Sequence, residues 1–138
     1  MKLVVDASVV VRWALPEPHH GEARRLRDDH LAGRVRAVAP PCLWLEVASA
    51  LRKHVNRGII GRDKAVEALR LLHQIDIEII DVEPAQVLET ALRLGVTVYD
   101  AAYISLAESL GVDFYTADEK LLSHTNVKHV MQYKTLKG

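Results

Sequence analysis

The sequence predicts an α/β protein, a mostly parallel sheet with helices on both faces. Three observations carry this. Short apolar runs of strand character (KLVV, VRAVA, IEIIDV, VDFYT) alternate with stretches of helical periodicity. Proline and glycine fall at the joints between them. The first apolar run stops at an aspartate, Asp6, and a second one starts two residues later. A carboxylate beside a core is costly unless something holds it. A helix start is one such holder, and a metal ion is another.

In order, residues 2–5 (KLVV) read as a short buried strand, and Ser8 to Leu15 as a helix ended by Pro16-Glu17-Pro18. Residues 19–32, rich in Arg, Asp and His, suggest an exposed, mobile helix with Leu26 and Leu31 inward. A weak strand follows at Val35–Ala39. Pro40-Pro41 opens a stronger helix, CLWLEVASALRKHVNRG, closed by Gly58. In it Leu43, Val47, Ala50, Leu51 and Val55 recur at helical spacing, with Trp44 and Ala48 beside them. Another helix runs from Arg62 to Gln74 with Val66, Leu69 and Leu72 inward. IEIIDV alternates as a strand does. Pro84 starts the helix AQVLETALRL, and Gly95 caps it. Asp100 to Leu110 is helical and capped by Gly111. VDFYTAD passes from a strand into a short helix, VKHVMQY supplies a last strand, and polar TLKG frays. One domain is expected over residues 1–138, with its core in 1–131 and a flexible tail at 132–138.

Composition narrows the function classes. Hydrophobic residues make up 49% and charged residues 26% of the chain, which fits a folded protein and argues against disorder. Eighteen basic residues balance eighteen acidic ones, so net charge does not advertise nucleic acid. The halves differ: residues 1–69 carry twelve Lys/Arg and eight Asp/Glu, residues 70–138 six and ten. Such asymmetry permits a basic surface beside an acidic site. Cys42 is the single cysteine, which excludes an internal disulfide, fits a reducing compartment, and reads as a small buried residue rather than a nucleophile. No apolar run approaches the roughly 20 residues of a membrane span. Asp6 and Arg12 interrupt the opening apolar stretch, and no signal-peptide cleavage site follows. A cytoplasmic protein is expected.

Four acids fall in the same kind of place. Asp6 follows the first strand and Asp118 the strand in FYTADEKL. Asp100 in TVYDAAY and Glu46 in LWLEVA stand near helix N-termini. In a parallel sheet all four face the carboxyl edge of the strands, where ligands bind. Each has a simpler reading. Asp6 can be an N-cap, Thr97 with Asp100 and Thr116 with Glu119 look like capping boxes, and Glu46 can meet the helix dipole. Together they are harder to dismiss, because apolar residues flank Glu46 and the strand before Asp6 is central. Two such charges 4 Å apart repel by roughly 4 kcal/mol at an effective dielectric near 20. Either protons are retained or cations enter. An all-oxygen site suits Mg²⁺ or Mn²⁺. Zinc is disfavoured, since the seven His lack metal-motif spacing and one Cys makes no thiolate cluster. Ser8 and Thr116 stand two residues after Asp6 and two before Asp118, placed to orient a carboxylate, to hold a metal-bound water, or merely to cap backbone. No GxGxxG, GxxxxGK[ST] or GxSxG motif is present.

LVVDASVVVRWALPEP, Glu46 in LWLEVASALRK, TVYDAAYISLAESLG and YTADEKL resemble, in order, the PIN-domain ribonucleases. More narrowly they resemble the VapC toxins of bacterial and archaeal toxin–antitoxin pairs. The match spans residues 2 to 122. It implies a three-layer α/β/α sandwich around a five-stranded parallel sheet of order 3-2-1-4-5. It implies that Asp6, Glu46, Asp100 and Asp118 surround Mg²⁺ or Mn²⁺ and cut RNA to a 5′-phosphate and a 3′-hydroxyl by metal-activated water. It also implies a homodimer and a cognate VapB-type antitoxin. Arg12, Lys53 and Lys120 lie near these acids in sequence and are candidates for RNA phosphates, or else ordinary surface charges.

Two rivals remain. A receiver-like signalling domain also gathers acids at this sheet edge, and Asp81 stands where its phosphoacceptor belongs. Against it, Asp6 follows its strand alone, where a receiver has a pair of acids. A non-catalytic binding module would use all four acids as caps and show no Mg²⁺ affinity.

Overall fold

A computed structural model of the chain describes residues 1–124 and 126–134. The chain runs β1 (Lys2–Val5), α1 (Ala7–Val11), α2 (His20–Leu31), β2 (Arg36–Ala39), α3 (Leu43–Asn56) and α4 (Arg62–His73). It continues through β3 (Glu78–Ile79), α5 (Pro84–Leu94), α6 (Val98–Leu110), β4 (Phe114–Thr116) and β5 (Val127–His129). All strands pair in parallel, in the order β3-β2-β1-β4-β5. This is the expected order, within an α/β/α sandwich. β1 is central, and Leu3, Val4 and Val5 are at most 1% exposed, which explains the unbroken apolar run. Phe114 in β4 stacks on Tyr103 of α6 with ring centroids 5.6 Å apart. Strand order reverses between β1 and β4, so the residues just past these two strands flank the sheet's switch point. No helix among the described residues is long and apolar enough to cross a membrane.

Local rules set most element ends. Gly95 and Gly111 close α5 and α6 at φ 68° and 66°, a conformation that costs glycine nothing. Thr97 caps α6 by accepting from the Asp100 N–H at 3.1 Å. The helix therefore starts at Val98, two residues ahead of the expected Asp100.

Several expectations are corrected. α1 stops at Val11 instead of Leu15, because the backbone tightens to i−3 bonds (Arg12 to Val9, Trp13 to Val10) as it approaches Pro16. α2 is docked rather than loose: Ala23, Leu26 and Asp29 are buried, and Trp13 Nε1 donates to the Ala23 carbonyl at 2.7 Å. Leu31 is 62% exposed, since five residues after Leu26 the helix has carried it off the inner face. Val66 is exposed for the same reason, one step beside the inward row of Ala65 and Leu72. In IEIIDV only Glu78 and Ile79 pair, at the sheet edge. In VKHVMQY the strand ends at His129, whose Nδ1 accepts from the Met131 N–H and starts a 3₁₀ turn.

The C-terminal segment is anchored further than expected. Tyr133, assigned to the tail, is buried, and its hydroxyl donates to Asp29 Oδ2 at 2.5 Å. Arg34 reaches the other oxygen at 3.3 Å. The rest of the expected tail, residues 135–138, lies outside the described residues. Tyr133→Phe leaves that buried oxygen without its donor, so a loss of about 1–3 kcal/mol is expected, read as a lower urea midpoint.

Candidate active site

The cleft lies past the carboxyl ends of β1 and β4. Its volume is about 320 Å³, and Asp6, Glu46, Asp100 and Asp118 all line it. Sequence separations of up to 112 residues between Asp6 and Asp118 are closed here by the sheet.

Asp6 is the buried member, 8% exposed. It does cap α1, accepting from the Val9 N–H at 3.3 Å. It is also gripped by two hydroxyls: Ser8 Oγ donates to Oδ1 and Thr116 Oγ1 to Oδ2, both at 2.5 Å. Burial dominates over these bonds and pushes the Asp6 carboxyl up to about 6, with the Glu46 charge adding to the rise. Ser8 Oγ in turn accepts from the Ala117 N–H at 2.8 Å, and Thr116 Oγ1 from the Asp118 N–H at 3.0 Å. The two hydroxyls thus stitch α1 to the end of β4. Thr116 is fully buried and serves Asp6 and Asp118, so the expected capping box with Glu119 does not form. Asp118 itself starts the 3₁₀ turn Glu119–Leu121 by accepting from the Lys120 N–H at 3.0 Å.

Asp100 sits in the first turn of α6, half-buried. Burial raises its carboxyl above the usual range, and the Asp118 charge adds to this, against lowering by the bond from Thr97 and by the Lys120 charge. Glu46 lies in the first turn of α3, where the dipole favours it. Tyr103 Oη donates to Glu46 Oε1 at 2.6 Å. Burial and the Glu46 charge keep the Tyr103 phenol protonated far beyond neutral pH.

Tyr103 was not foreseen. The signal was available: it stands three residues after Asp100 in TVYDAAY, on the same helical face. Ser49, His54 and Arg57 also line the cleft unforeseen, although Glu46, Ser49, Lys53 and Arg57 recur at helical spacing. Of the three expected cations, only Lys53 lines the cleft. Lys120 stands outside the lining, though close enough for its charge to act on Asp100. Arg12 is spent on structure, donating to the Ser8 and Pro18 carbonyls at 2.7 and 2.8 Å. Asp81 is exposed after β3 and outside the cleft, which removes the phosphoacceptor of the receiver reading. The Cys42 thiol, half-buried beside Glu46, is pushed up to about 11 chiefly by burial and is therefore inert.

Whether these acids suit a metal can be judged from their donors. Every carboxylate lining the cleft offers oxygen, the donor set of Mg²⁺ and Mn²⁺. Among the described residues, no three His, Cys, Asp or Glu side chains are close enough together to chelate one ion. The acids stand apart on the cleft walls, Asp6 held by hydroxyls and Glu46 by the phenol. Asp100 and Asp118 are half-buried. By chemistry the residues fit a hard cation.

Thr116→Val keeps the volume but strips the donor from buried Asp6 Oδ2 and the acceptor from the Asp118 N–H. A stability loss of about 2–4 kcal/mol is expected near neutral pH, seen as a lower urea midpoint.

Known proteins share both the sequence pattern and the architecture. Residues 3–127 match the family model described as PIN domain. Ribonuclease VapC3 of Pyrobaculum aerophilum is 37% identical over 125 residues, covering 88% of this chain and 92% of that one. The crystal structure of PAE2754 from Pyrobaculum aerophilum superposes with a TM-score of 0.73 at 24% identity, covering 94% of this chain and 84% of that one. That of VapBC2 from Rickettsia felis, bound to a DNA fragment from its promoter, gives 0.68 at 14% identity, covering 94% and 98%. At such identities the two structures speak for the fold, while the sequence match carries the family. A central strand running into Asp6, the acids at the switch point and the extent of this match agree: the chain belongs to the PIN-domain family, among its VapC ribonucleases.

Proposed function

We propose that the cleft hydrolyses RNA phosphodiesters, with Asp6, Glu46, Asp100 and Asp118 as the residues that hold Mg²⁺ or Mn²⁺. The observation that supports this is the placement of four acids, distant in sequence, on the lining of one cleft at the sheet's switch point. A divalent ion held there supplies positive charge at the scissile phosphate and a more acidic water. The chain's own groups do the remaining work. Ser8 and Thr116 fix the orientation of Asp6 and, by binding its oxygens, favour its charged form. Tyr103 fixes Glu46. Lys53, exposed on the cleft wall, meets strand phosphates. Because water is the nucleophile, the RNA 2′-hydroxyl is not consumed, and the products are a 5′-phosphate and a 3′-hydroxyl. The biological role is the toxin of a toxin–antitoxin pair, working as a homodimer and silenced by a VapB-type antitoxin. The name VapBC2 of the Rickettsia felis structure, which couples VapC with VapB, supports that partner.

The test is expression in a bacterial host of wild-type protein and of Asp100→Asn, with sequencing of new RNA 5′ ends. The purified proteins are assayed in parallel on RNA with Mg²⁺, Mn²⁺ or EDTA. Growth arrest and new 5′-phosphate ends only with wild type, and cleavage only with metal, are expected. Cleavage that persists in EDTA or in Asp100→Asn overturns the assignment.

A further inference from the structure

The cleft has two chemically opposite sides. Asp6 and Asp118 follow β1 and β4 and Asp100 stands in the first turn of α6, while α3 and its C-cap bring Ser49, Lys53 and Arg57 in a stripe beyond Glu46. Lys53 and Arg57 are exposed, and neither has an ion-pair partner among the described residues.

What holds this wall is a hydrogen-bonded bridge. His54, next to Lys53 on α3, points Nδ1 at the Ala50 carbonyl (2.8 Å) and Nε2 at Glu17 Oε1 (2.5 Å). The ring thus spans from its own helix to the Glu17 carboxylate. It sits in the last turn of α3. Glu17 Oε2 lies 3.4 Å from Arg12 Nη1, and that nitrogen donates to the Ser8 carbonyl. A polar chain thus runs from α3 to the residue whose hydroxyl grips Asp6. The side chains of Arg12, Glu17 and His54 are only 16%, 25% and 12% exposed, so solvent screens this bridge less than a surface pair. Glu17 stands between Pro16 and Pro18, whose rings restrict the backbone on either side.

We infer that Glu17 is a positioning residue: by joining Arg12 to His54 it holds Lys53 and Arg57 across from the acids, as a seat for the backbone phosphate of the RNA strand flanking the one that is cut. The inference rests on the ribonuclease reading for its ligand. Removing the Glu17 carboxylate leaves Arg12 and His54 without the group that joins them, so α3 shifts away from α1 and the seat moves off the strand.

Binding and cleavage are measured separately, so that failure of the two readings can be told apart. Binding of a fluorescein-labelled, mixed-sequence single-stranded RNA is followed by anisotropy over a salt series, using Asp100→Asn protein. Lys53→Ala and Arg57→Ala each lower the slope of log affinity against log salt by about 0.7. Glu17→Gln weakens binding about tenfold, and it costs nothing further once Lys53 and Arg57 are both alanine. His54→Gln, which removes the ring that spans from the Ala50 carbonyl to Glu17, behaves as Glu17→Gln does. In protein with Asp100 intact, Glu17→Gln raises KM and spares kcat. An unchanged slope in both alanine variants overturns the seat. A Glu17→Gln cost that stays additive with them, or that equals its unfolded fraction in urea, overturns the positioning role. Wild-type protein that binds this RNA with the expected slopes yet cuts none overturns the ribonuclease reading alone.

Discussion

Asp6→Asn is expected to lower metal-dependent RNA cleavage by at least about a thousandfold, some 4 kcal/mol of transition-state stabilisation. The substitution is nearly isosteric, and its hydrogen bonds can be remade. The amide oxygen still accepts from Ser8 and the Val9 N–H, and the amide nitrogen donates to Thr116 Oγ1. Charge is what disappears, at the most buried of the four cleft acids, which both hydroxyls grip. Cleavage is to be followed by single-turnover gel assay beside far-UV circular dichroism. A folded Asp6→Asn protein that cuts at the wild-type rate removes Asp6 from the chemistry.

The same residue is expected to make the metal-free protein less stable as pH rises. Burial lifts the Asp6 carboxyl from its ordinary 3.8 to about 6. The folded state therefore holds this proton more tightly than the unfolded state. The stabilisation is fully present below pH 3.8 and is lost as pH rises through about 6. The change amounts to about 3 kcal/mol, a large share of the 5–15 kcal/mol typical of a domain. Urea unfolding in EDTA across this range, for wild type and Asp6→Asn, measures it. The variant gains on wild type as pH rises, because an amide carries no charge to bury. Above pH 6, Mg²⁺ restores wild type and leaves the variant unmoved. Curves that run parallel at every pH show that the buried charge carries no such cost.

Both effects concern a residue that the sequence itself marks, at the end of a strand too apolar to be exposed. The helix starts and stops were readable from the same local chemistry: Pro84, Gly95, Thr97 and Gly111 act through their own backbone neighbours. Edges and faces were less readable. β3 keeps only two paired residues of IEIIDV, because pairing depends on what the neighbouring strand reaches. Leu31 and Val66 lie one helical step from the buried rows, and a hydrophobic residue near a face looks like one on it. Arg12 resembles an RNA contact for its nearness to Asp6 in sequence. The turn after α1 instead brings carbonyls and Glu17 around its guanidinium.

The sequence by itself determined the alternation of strands and helices, the apolar central strand and the four acids past strand ends or near helix starts. These depend on periodicity and on capping, which act within a few residues. Only the tertiary structure decided that Thr116 serves Asp6 rather than its own helix, that Tyr103 holds Glu46, and that His54 reaches Glu17 rather than solvent. Each of those bonds joins residues 37 to 110 positions apart. Their partners are set by strand order and helix packing, and a hydroxyl or imidazole carries no local mark of which distant oxygen it will meet.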